Sequence, residues 1–406
     1  MKQIKGGVTT AKGFLASGVK AGIKRSGKPD LALLYSEVPA VAAAAFTTNR
    51  FKASPVKVSM AHMRSKTHQA VIVNSGNANC ANGKTGDRDA IMMASFAATA
   101  LALRKEEVLV ASTGIIGRPL PVINIKEHTP DLIGGLSAAG GSDFAKAIMT
   151  TDTVKKEAAV RVRIGGSTVT IGGASKGVGM IYPGLSTKNH ATMLCFVTTD
   201  AAITKPMLYA ALDEAAAGSF NMISVDGDMS TNDTCFIMAN GMAGNGRVSS
   251  RGKDYRKFSE ALGLLTGELA RKMVRDGEGA TKLVEIEVSG AGSVEDARVV
   301  ARKISTSNLL KCCIYGEDPN WGRVASAAGA SGVWFDPDKV SIYLGGVKAL
   351  SKGAIARGYD KERARRHFKE DDIHIRVELG SGRCGAKAWT CDFSEEYVKI
   401  NAEYST

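Results

Sequence analysis

Ala159-Val160-Arg161-Val162-Arg163-Ile164-Gly165-Gly166-Ser167-Thr168-Val169-Thr170-Ile171 is the stretch on which the fold class turns. Val160, Val162 and Ile164 alternate with Arg161 and Arg163, Gly165-Gly166 supplies a two-residue turn, and Val169 and Ile171 return; this is the pattern of a β-hairpin. Outward from it, Gln69–Asn74 is a short β-branched run that ends in the turn-rich Ser75-Gly76-Asn77-Ala78-Asn79. Val108–Ala111 reads as a buried strand stopping at Ser112-Thr113-Gly114, with Pro119 and Pro121 barring regular structure soon after. Val284–Val288 and Ile373–Leu379 alternate apolar and polar residues as half-exposed strands do. Helices are expected at Asp89–Leu103, at Lys205–Gly218 with Pro206 near its first turn, and at Arg256–Arg275. Ser293-Val294-Glu295-Asp296 is a capping box opening another helix through Lys303. Strands neighbour one another as often as they alternate with helices, so the expectation is α+β layers and not a doubly wound sheet.

The 406 residues suffice for two or three compact units. With 44% apolar and 23% charged residues, wholesale disorder, a coiled coil and a collagen-like chain are excluded. The 45 glycines exceed the usual share of roughly 7% and imply many tight turns and close backbone approaches. A net charge of +13 invites a nucleic-acid reading, but the basic residues are scattered and aromatics are only 6%. The densest run, Lys361 to Lys369, reads as a solvated helix face. No nucleic-acid partner is therefore expected; attraction of an acidic small substrate is compatible with the charge. Lys2, Lys5, Lys12, Lys20, Lys24 and Arg25 leave no apolar stretch for a secretory signal, and Ala40–Phe46 is too short to span a bilayer. Seven cysteines without CxxC spacing fit reduced, buried or incidental thiols. The expectation is a cytoplasmic chain with no membrane association and no metal site.

Common catalytic signatures are missing: GxSxG, the Gly-x4-Gly-Lys-[Ser/Thr] loop and HExxH. Gly172–Gly179 resembles a phosphate loop in composition only, because it leads into Met180-Ile181-Tyr182-Pro183 and not into a helix. What stands out are hydroxyls grouped with small residues: Ser112-Thr113-Gly114, Thr150-Thr151-Asp152-Thr153, Ala191-Thr192-Met193-Leu194 and Thr198-Thr199-Asp200. A hydroxyl nucleophile needs a base, and none of the six histidines stands in a triad context. A Thr that becomes an N-terminus after chain cleavage carries its own base, an α-amine of pKa ~7.7–8.0. Ala191-Thr192 offers a sterically open bond for such a cut, although Thr192 taken alone reads first as the start of a strand.

Longer motifs run nearly end to end: Gly6-Gly7-Val8-Thr9, Phe46-Thr47-Thr48-Asn49-Arg50, Val73-Asn74-Ser75-Gly76-Asn77-Ala78-Asn79, Ala111-Ser112-Thr113-Gly114-Ile115-Ile116-Gly117 and Ile148-Met149-Thr150-Thr151-Asp152-Thr153. Ser224-Val225-Asp226-Gly227-Asp228, Ser230-Thr231-Asn232-Asp233, Asp276–Lys282, Asp318-Pro319-Asn320-Trp321-Gly322-Arg323 and Tyr397–Thr406 follow in order. In these the chain resembles the ornithine acetyltransferase (glutamate N-acetyltransferase, ArgJ) family. The resemblance implies a two-lobed α+β fold, mixed sheets layered with helices, of the self-cleaving N-terminal-nucleophile type shared with certain aminopeptidases. It implies self-cleavage between Ala191 and Thr192, giving an α chain 1–191 and a β chain 192–406 that stay associated as (αβ)2. Thr192 is then the nucleophile that carries acetyl from N-acetylornithine to glutamate, and Thr113 with Gly114 forms the oxyanion hole. Thr150, Lys176, Thr192, Glu278, Asn401 and Thr406 carry over as substrate-binding. No cofactor is implied; acetyl-CoA enters only as a co-substrate in bifunctional relatives.

One departure stands out: Lys176 and Thr192 are sixteen positions apart, with Gly184–His190 standing between Pro183 and Ala191, a spacing about five residues longer than the family pattern. His190, next to the scissile bond, reads as incidental. Two other readings are carried along: an aminopeptidase or amidase on the same self-processing scaffold, and an unprocessed, catalytically silent binding protein.

Overall fold

The computed structural model describes residues 1–184 and 193–403. These divide into two compact units: the first holds 1–177, 183–221 and 229–269, the second 178–182, 222–228 and 270–403. The first unit draws on sequence from both sides of the 191/192 bond.

Sixteen strands are present among the described residues: β1 Lys2–Ile4, β2 Phe14–Val19, β3 Leu31–Phe46, β4 His68–Asn77, β5 Val108–Ile115, β6 Lys156–Ile164, β7 Ser167–Lys176 and β8 Leu194–Thr199. They continue with β9 Ile223–Ser224, β10 Thr234–Ala239, β11 Leu283–Ala291, β12 Ser341–Leu344, β13 Val347–Ser351, β14 Ala354–Ile355, β15 Asp372–Glu378 and β16 Cys384–Cys391. The sheet of the first unit runs β1-β6-β7-β8-β10-β3-β4-β5, with β2 paired to β3. The sheet of the second unit runs β14-β13-β12-β15-β11-β16-β9. Both are mixed: β8/β10, β4/β5 and β11/β15 are parallel, while β6/β7, β3/β4 and β11/β16 are antiparallel. With helices packed on them this is the expected α+β architecture.

The first sheet is buried on both faces, and the alternation in its strands sorts side chains between two cores. Ala32, Leu34, Val71, Val73, Leu109 and Phe196 go to one core; Leu31, Leu33, Ala70, Ile72, Val108 and Val110 go to the other. Burial on both faces explains why these strands read as nearly continuous apolar runs. In the first core Phe144 meets Phe196 edge-on at 5.1 Å and Phe46 meets Phe236 at 5.7 Å. Each such buried side chain contributes about 1.5–3 kcal/mol. The Ala40–Phe46 run is the far half of β3, paired with β10 in the register Ala42–Met238 and Ala44–Phe236.

The hairpin forms as its sequence demands. Gly165 and Gly166 take φ +54° and +87°, the doubly left-handed turn that matches the twist of the flanking strands. The helix Lys205–Gly218 has the expected bounds, and Ser293 Oγ caps the helix Val294–Ser305 by accepting from the Asp296 amide at 3.0 Å. In the helix Lys361–Phe368 only Ala364 and Phe368 are buried, so its basic run is a solvated face.

Among the boundaries that differ from expectation are the following three. β4 continues through Ser75 and Gly76 to Asn77, and β5 through Ser112-Thr113-Gly114 to Ile115. Each lends the other a parallel partner, which local turn preference does not register. The helix placed at Asp89 begins at Gly83, so Asp89 lies inside it.

One consequence of burial is testable. His68, at the start of β4, is wholly inside the first unit; its Nε2 lies 3.1 Å from the His62 carbonyl, while Nδ1 finds no partner among the described residues. Burial pulls its pKa from 6.5 down to about 4. The unfolded chain therefore takes up a proton below pH 6.5 that the folded chain refuses until about pH 4. Stability is expected to fall by about 2 kcal/mol between pH 7 and pH 5 on this account. Urea unfolding at the two pH values checks it, and His68→Gln must flatten the dependence; an unchanged slope rejects it.

Candidate active site

In the first unit the residues picked out by the sequence converge at the C-terminal ends of β5 and β7. Pairing of β4 with β5 sets Ser75 opposite Thr113 and Gly76 opposite Gly114. Gly114 has φ +133°, and a Cβ there collides with the Gly76 backbone, so only glycine lets the two chains approach this closely. Asn side chains hold the adjoining loop. Asn74 Nδ2 donates to the Asn77 carbonyl at 2.9 Å, and Asn77 Oδ1 accepts from the Asn79 amide at 2.7 Å. From the segment before β10, Asn232 Nδ2 reaches the Ala78 and Ser112 carbonyls at 2.6 and 2.8 Å. The strand end that carries Thr113 is thus braced by hydrogen bonds to its own backbone.

Lys176 closes β7 and is largely buried. Its ammonium donates to Thr150 Oγ1 at 2.7 Å and to Thr113 Oγ1 at 3.3 Å. Three residues separated by up to 63 positions, Thr113, Thr150 and Lys176, therefore share one spot. Behind them lies a dry ion pair: Asp152 accepts from Lys156 Nζ at 2.6 Å, with neither side chain exposed, and from the amides of Gly177 and Thr150 at 2.9 and 3.0 Å. Lys176 Nζ is 3.9 Å away. Burial alone raises a carboxyl pKa, but the Lys176 and Lys156 ammoniums and the Gly177 amide outweigh it here and hold Asp152 down at about 2.

The strand β8 begins between these groups. Leu194 pairs with Lys176 on one side and with Thr234 on the other, and the Met193 carbonyl accepts from the Thr234 amide at 2.6 Å. Asp233 is buried beside Met193. Burial pushes its carboxyl well above the usual range against the opposing pull of the Met193 amide and Lys176, and its Oδ2 has no partner among the described residues. Burial thus favours the neutral form of this carboxyl.

The second unit brings together two more of the expected residues. The Glu278 amide donates to the Val178 carbonyl at 2.8 Å, and its buried carboxylate lies against Gly179, where any Cβ would clash. Asn401, on the helix Glu395–Glu403, donates to Glu278 Oε2 at 3.0 Å. Asp226 accepts from the Met180 and Ile181 amides at 2.5 and 2.8 Å. Burial, then the carboxylates of Asp226, Asp228 and Glu278, push the Tyr397 phenol far up, so it stays a neutral donor. Elsewhere on the second sheet Glu285, Glu287 and His374 are close enough to share a cation. Lys387 Nζ already bonds Glu285 at 2.5 Å and lies 3.7 Å from Glu287, and Trp389 Nε1 donates to Glu285 at 2.9 Å, so one ammonium offsets part of the charge of the two carboxylates.

Ala191, Thr192 and Thr406 lie outside the described residues, as does His190 with most of the inserted stretch. Asp152, Lys156, Asn232 and Asp233 are not among the residues that the sequence marks as site residues. Asp152, Asn232 and Asp233 sit in motifs that the sequence displays, but no local signal tells a buried ion pair from a surface one. All seven cysteines are free, and five are buried, in keeping with incidental thiols. No helix among the described residues is long and apolar enough to cross a membrane.

With this geometry in hand, comparison with known proteins is direct. The model of the ArgJ family matches residues 15–406. The chain is 48% identical over 408 residues to the arginine biosynthesis bifunctional protein ArgJ of Symbiobacterium thermophilum, covering all of both proteins. To the protein of the same name from Dehalococcoides mccartyi it is 47% identical over 403 residues, covering 99% of this chain and 98% of the relative. Among solved structures it resembles the arginine biosynthesis bifunctional protein ArgJ of Bacillus halodurans, with 43% identity and a TM-score of 0.51 over 52% of this chain and 99% of that one.

Proposed function

The chain belongs to the ArgJ family and is an acyltransferase of arginine biosynthesis, and on that premise we propose that it moves acetyl from N2-acetylornithine to glutamate through an ester on Thr192. The observation that carries the reading is the Lys176 ammonium held on both Thr113 and Thr150, at the end of β7 that pairs with Leu194, two positions after Thr192 in the chain. The aminopeptidase and silent-binder readings give way to it, because relatives at 47–48% identity over essentially the whole chain carry the arginine-biosynthesis name.

The steps follow from the groups present. Thr192 Oγ attacks the Ala191 carbonyl and the carbon–nitrogen bond breaks, which moves Ala191 to an ester on Oγ and frees the Thr192 α-amine; water then hydrolyses the ester, releasing the Ala191 carboxylate and the Thr192 hydroxyl. That amine, of pKa ~7.7–8.0, then takes the hydroxyl proton as Oγ attacks the acetyl carbonyl of N-acetylornithine. The tetrahedral oxyanion is met by the Thr113–Gly114 turn, where glycine permits close backbone approach. As the carbon–nitrogen bond breaks, the proton passes to ornithine, which leaves. The amine of glutamate next attacks the acetyl-Thr192 ester, the carbon–oxygen bond breaks, and Oγ recovers its proton; the kinetics are ping-pong. Lys176, with Thr150, seats the substrate α-carboxylate by a charge-assisted hydrogen bond. Glu278, oriented by Asn401, pairs with an amine of the substrate, and Thr406 completes the binding set. No resident cofactor takes part. Acetyl-CoA serves as a second acetyl donor to the same Thr192, in line with the bifunctional naming of the relatives. The two chains remain together as (αβ)2 in the cytoplasm.

The test is acetyl transfer to glutamate, assayed separately from N-acetylornithine and from acetyl-CoA, with the mass of the purified protein taken in parallel. Two fragments split at 191/192 and formation of N-acetylglutamate are expected from either donor. Activity in a chain that stays intact rejects the α-amine as base, and release of acetate in place of N-acetylglutamate restores the amidase reading.

A further inference from the structure

A second cation stands at the same turn. Asp30 is completely buried; its Oδ1 accepts from the Ala21 amide at 2.6 Å, and its Oδ2 accepts from the amides of Ile23 and Lys24 at 2.7 and 2.8 Å. The Asp30 carbonyl in turn accepts from the Ser75 amide at 2.8 Å, so the loop 21–30 is tied to the end of β4. This sets the Lys24 stem over Gly76: a Cβ on Gly76 would come within 2.8 Å of Lys24 Cγ. Gly76 is the register partner of Gly114, so Lys24 lies beside the turn assigned to the oxyanion. One Lys24 N–H donates to the Pro29 carbonyl at 2.7 Å, and an ammonium has three donors to place.

The electrostatics point to an anion. Lys24 interacts with both Lys176 and Asp152, so the three share one field. Partial burial, with the repulsion of Lys176, draws its pKa down to about 8 despite Asp30. Against the three ammoniums of Lys24, Lys176 and Lys156 stand the carboxylates of Asp152 and Asp30, the latter also bonded by three amides, while burial favours the neutral form of Asp233. Positive charge is left over in a poorly hydrated place, where a carboxylate ligand is worth most.

The two substrates differ in this respect. Acetylornithine has one carboxylate, whereas glutamate has two. With Lys176 and Thr150 occupied by the α-carboxylate that both share, the second carboxylate of glutamate has no other described cation at the turn. We propose that the Lys24 ammonium seats the side-chain carboxylate of glutamate and so selects the acidic acetyl acceptor. This rests on the acetyl-transfer reading above.

Steady-state kinetics of the processed enzyme test it, with either substrate varied. Lys24→Met is expected to raise KM for glutamate about 10- to 100-fold, the loss of one charge-assisted hydrogen bond, while KM for N-acetylornithine moves less than about threefold. Lys24→Arg must recover most of the loss. A second measurement needs no variant: the unmodified enzyme must discriminate against glutamine as acceptor at least about tenfold, and Lys24→Met must erase that preference. An unchanged glutamate KM, equal increases for both substrates, or equal use of glutamate and glutamine by the unmodified enzyme overturns the assignment. Peptide mass separates the two ideas. An acetyl adduct on Thr192 that Lys24→Met consumes with unaltered glutamate dependence rejects Lys24 alone; no adduct in the unmodified enzyme rejects the acetyl-transfer reading and this inference with it.

Discussion

A Thr192→Ala chain is expected to remain a single polypeptide of 42.6 kDa and to lose acetyl transfer from N-acetylornithine by a factor on the order of 10⁴ or more. The loss is large because one atom serves twice. In the proposed reaction Oγ is the nucleophile that opens the 191/192 bond, and after cleavage it is the atom that carries acetyl. Without the cut no α-amine exists to act as base, so the two deficits arise together and do not add. Thr192→Ser keeps the hydroxyl and the amine, and is expected to cleave and to transfer, more slowly. Denaturing electrophoresis and a product assay read both outcomes. A Thr192→Ala chain that still splits, or an uncut one that still makes N-acetylglutamate, ends the assignment.

The second large effect is structural. Asp152→Asn leaves Lys156 buried with its charge uncompensated, and an amide offers only one oxygen where the carboxylate now accepts from Lys156, Gly177 and Thr150. Breaking a buried pair by removing one partner costs about 3–5 kcal/mol, whereas replacing both partners by apolar groups is often neutral. The melting temperature of Asp152→Asn should therefore drop by about 6–20 °C. Adding Lys156→Met should restore most of it, a coupling that a double-mutant cycle measures. The same pair has a pH signature. The folded pKa of Asp152 is about 2 against an ordinary 3.8, so its contribution is complete above about pH 4 and is lost as the pH falls through 2. A double variant no more stable than Asp152→Asn would show that the pair is not the source of the loss.

Much of the local structure was legible in the residues. Period-two alternation with Gly165-Gly166 predicts the hairpin, and Ser293 with Asp296 three residues on predicts a capped helix; both depend on neighbours a few positions apart. Read from the residues alone, β4 ends at Asn74 and β5 at Ala111, because glycine and hydroxyl residues signal a turn when nothing is known of a partner. A parallel neighbour converts that segment into paired backbone, and it is there, at Gly76 and Gly114, that the proposed site lies. The charged groups were less legible. Lys156 follows Asp152 by four positions, and nothing local says that both side chains lose all contact with water. Lys24 looked like one of several scattered basic residues that merely interrupt an apolar stretch.

By itself the sequence determined the hydrophobic alternation, the turns and caps, and, through its family motifs, the threonine expected to carry acetyl, because these are properties of adjacent atoms. Tertiary structure alone decided that Thr113, Thr150 and Lys176 meet in one place and that Asp152 and Lys156 pair in the dry interior behind them. It also decided that Lys24 lies against Gly76. Which charges face one another, and how much water they keep, depends on pairing between strands far apart in the chain, and that is set only when the whole sheet has closed.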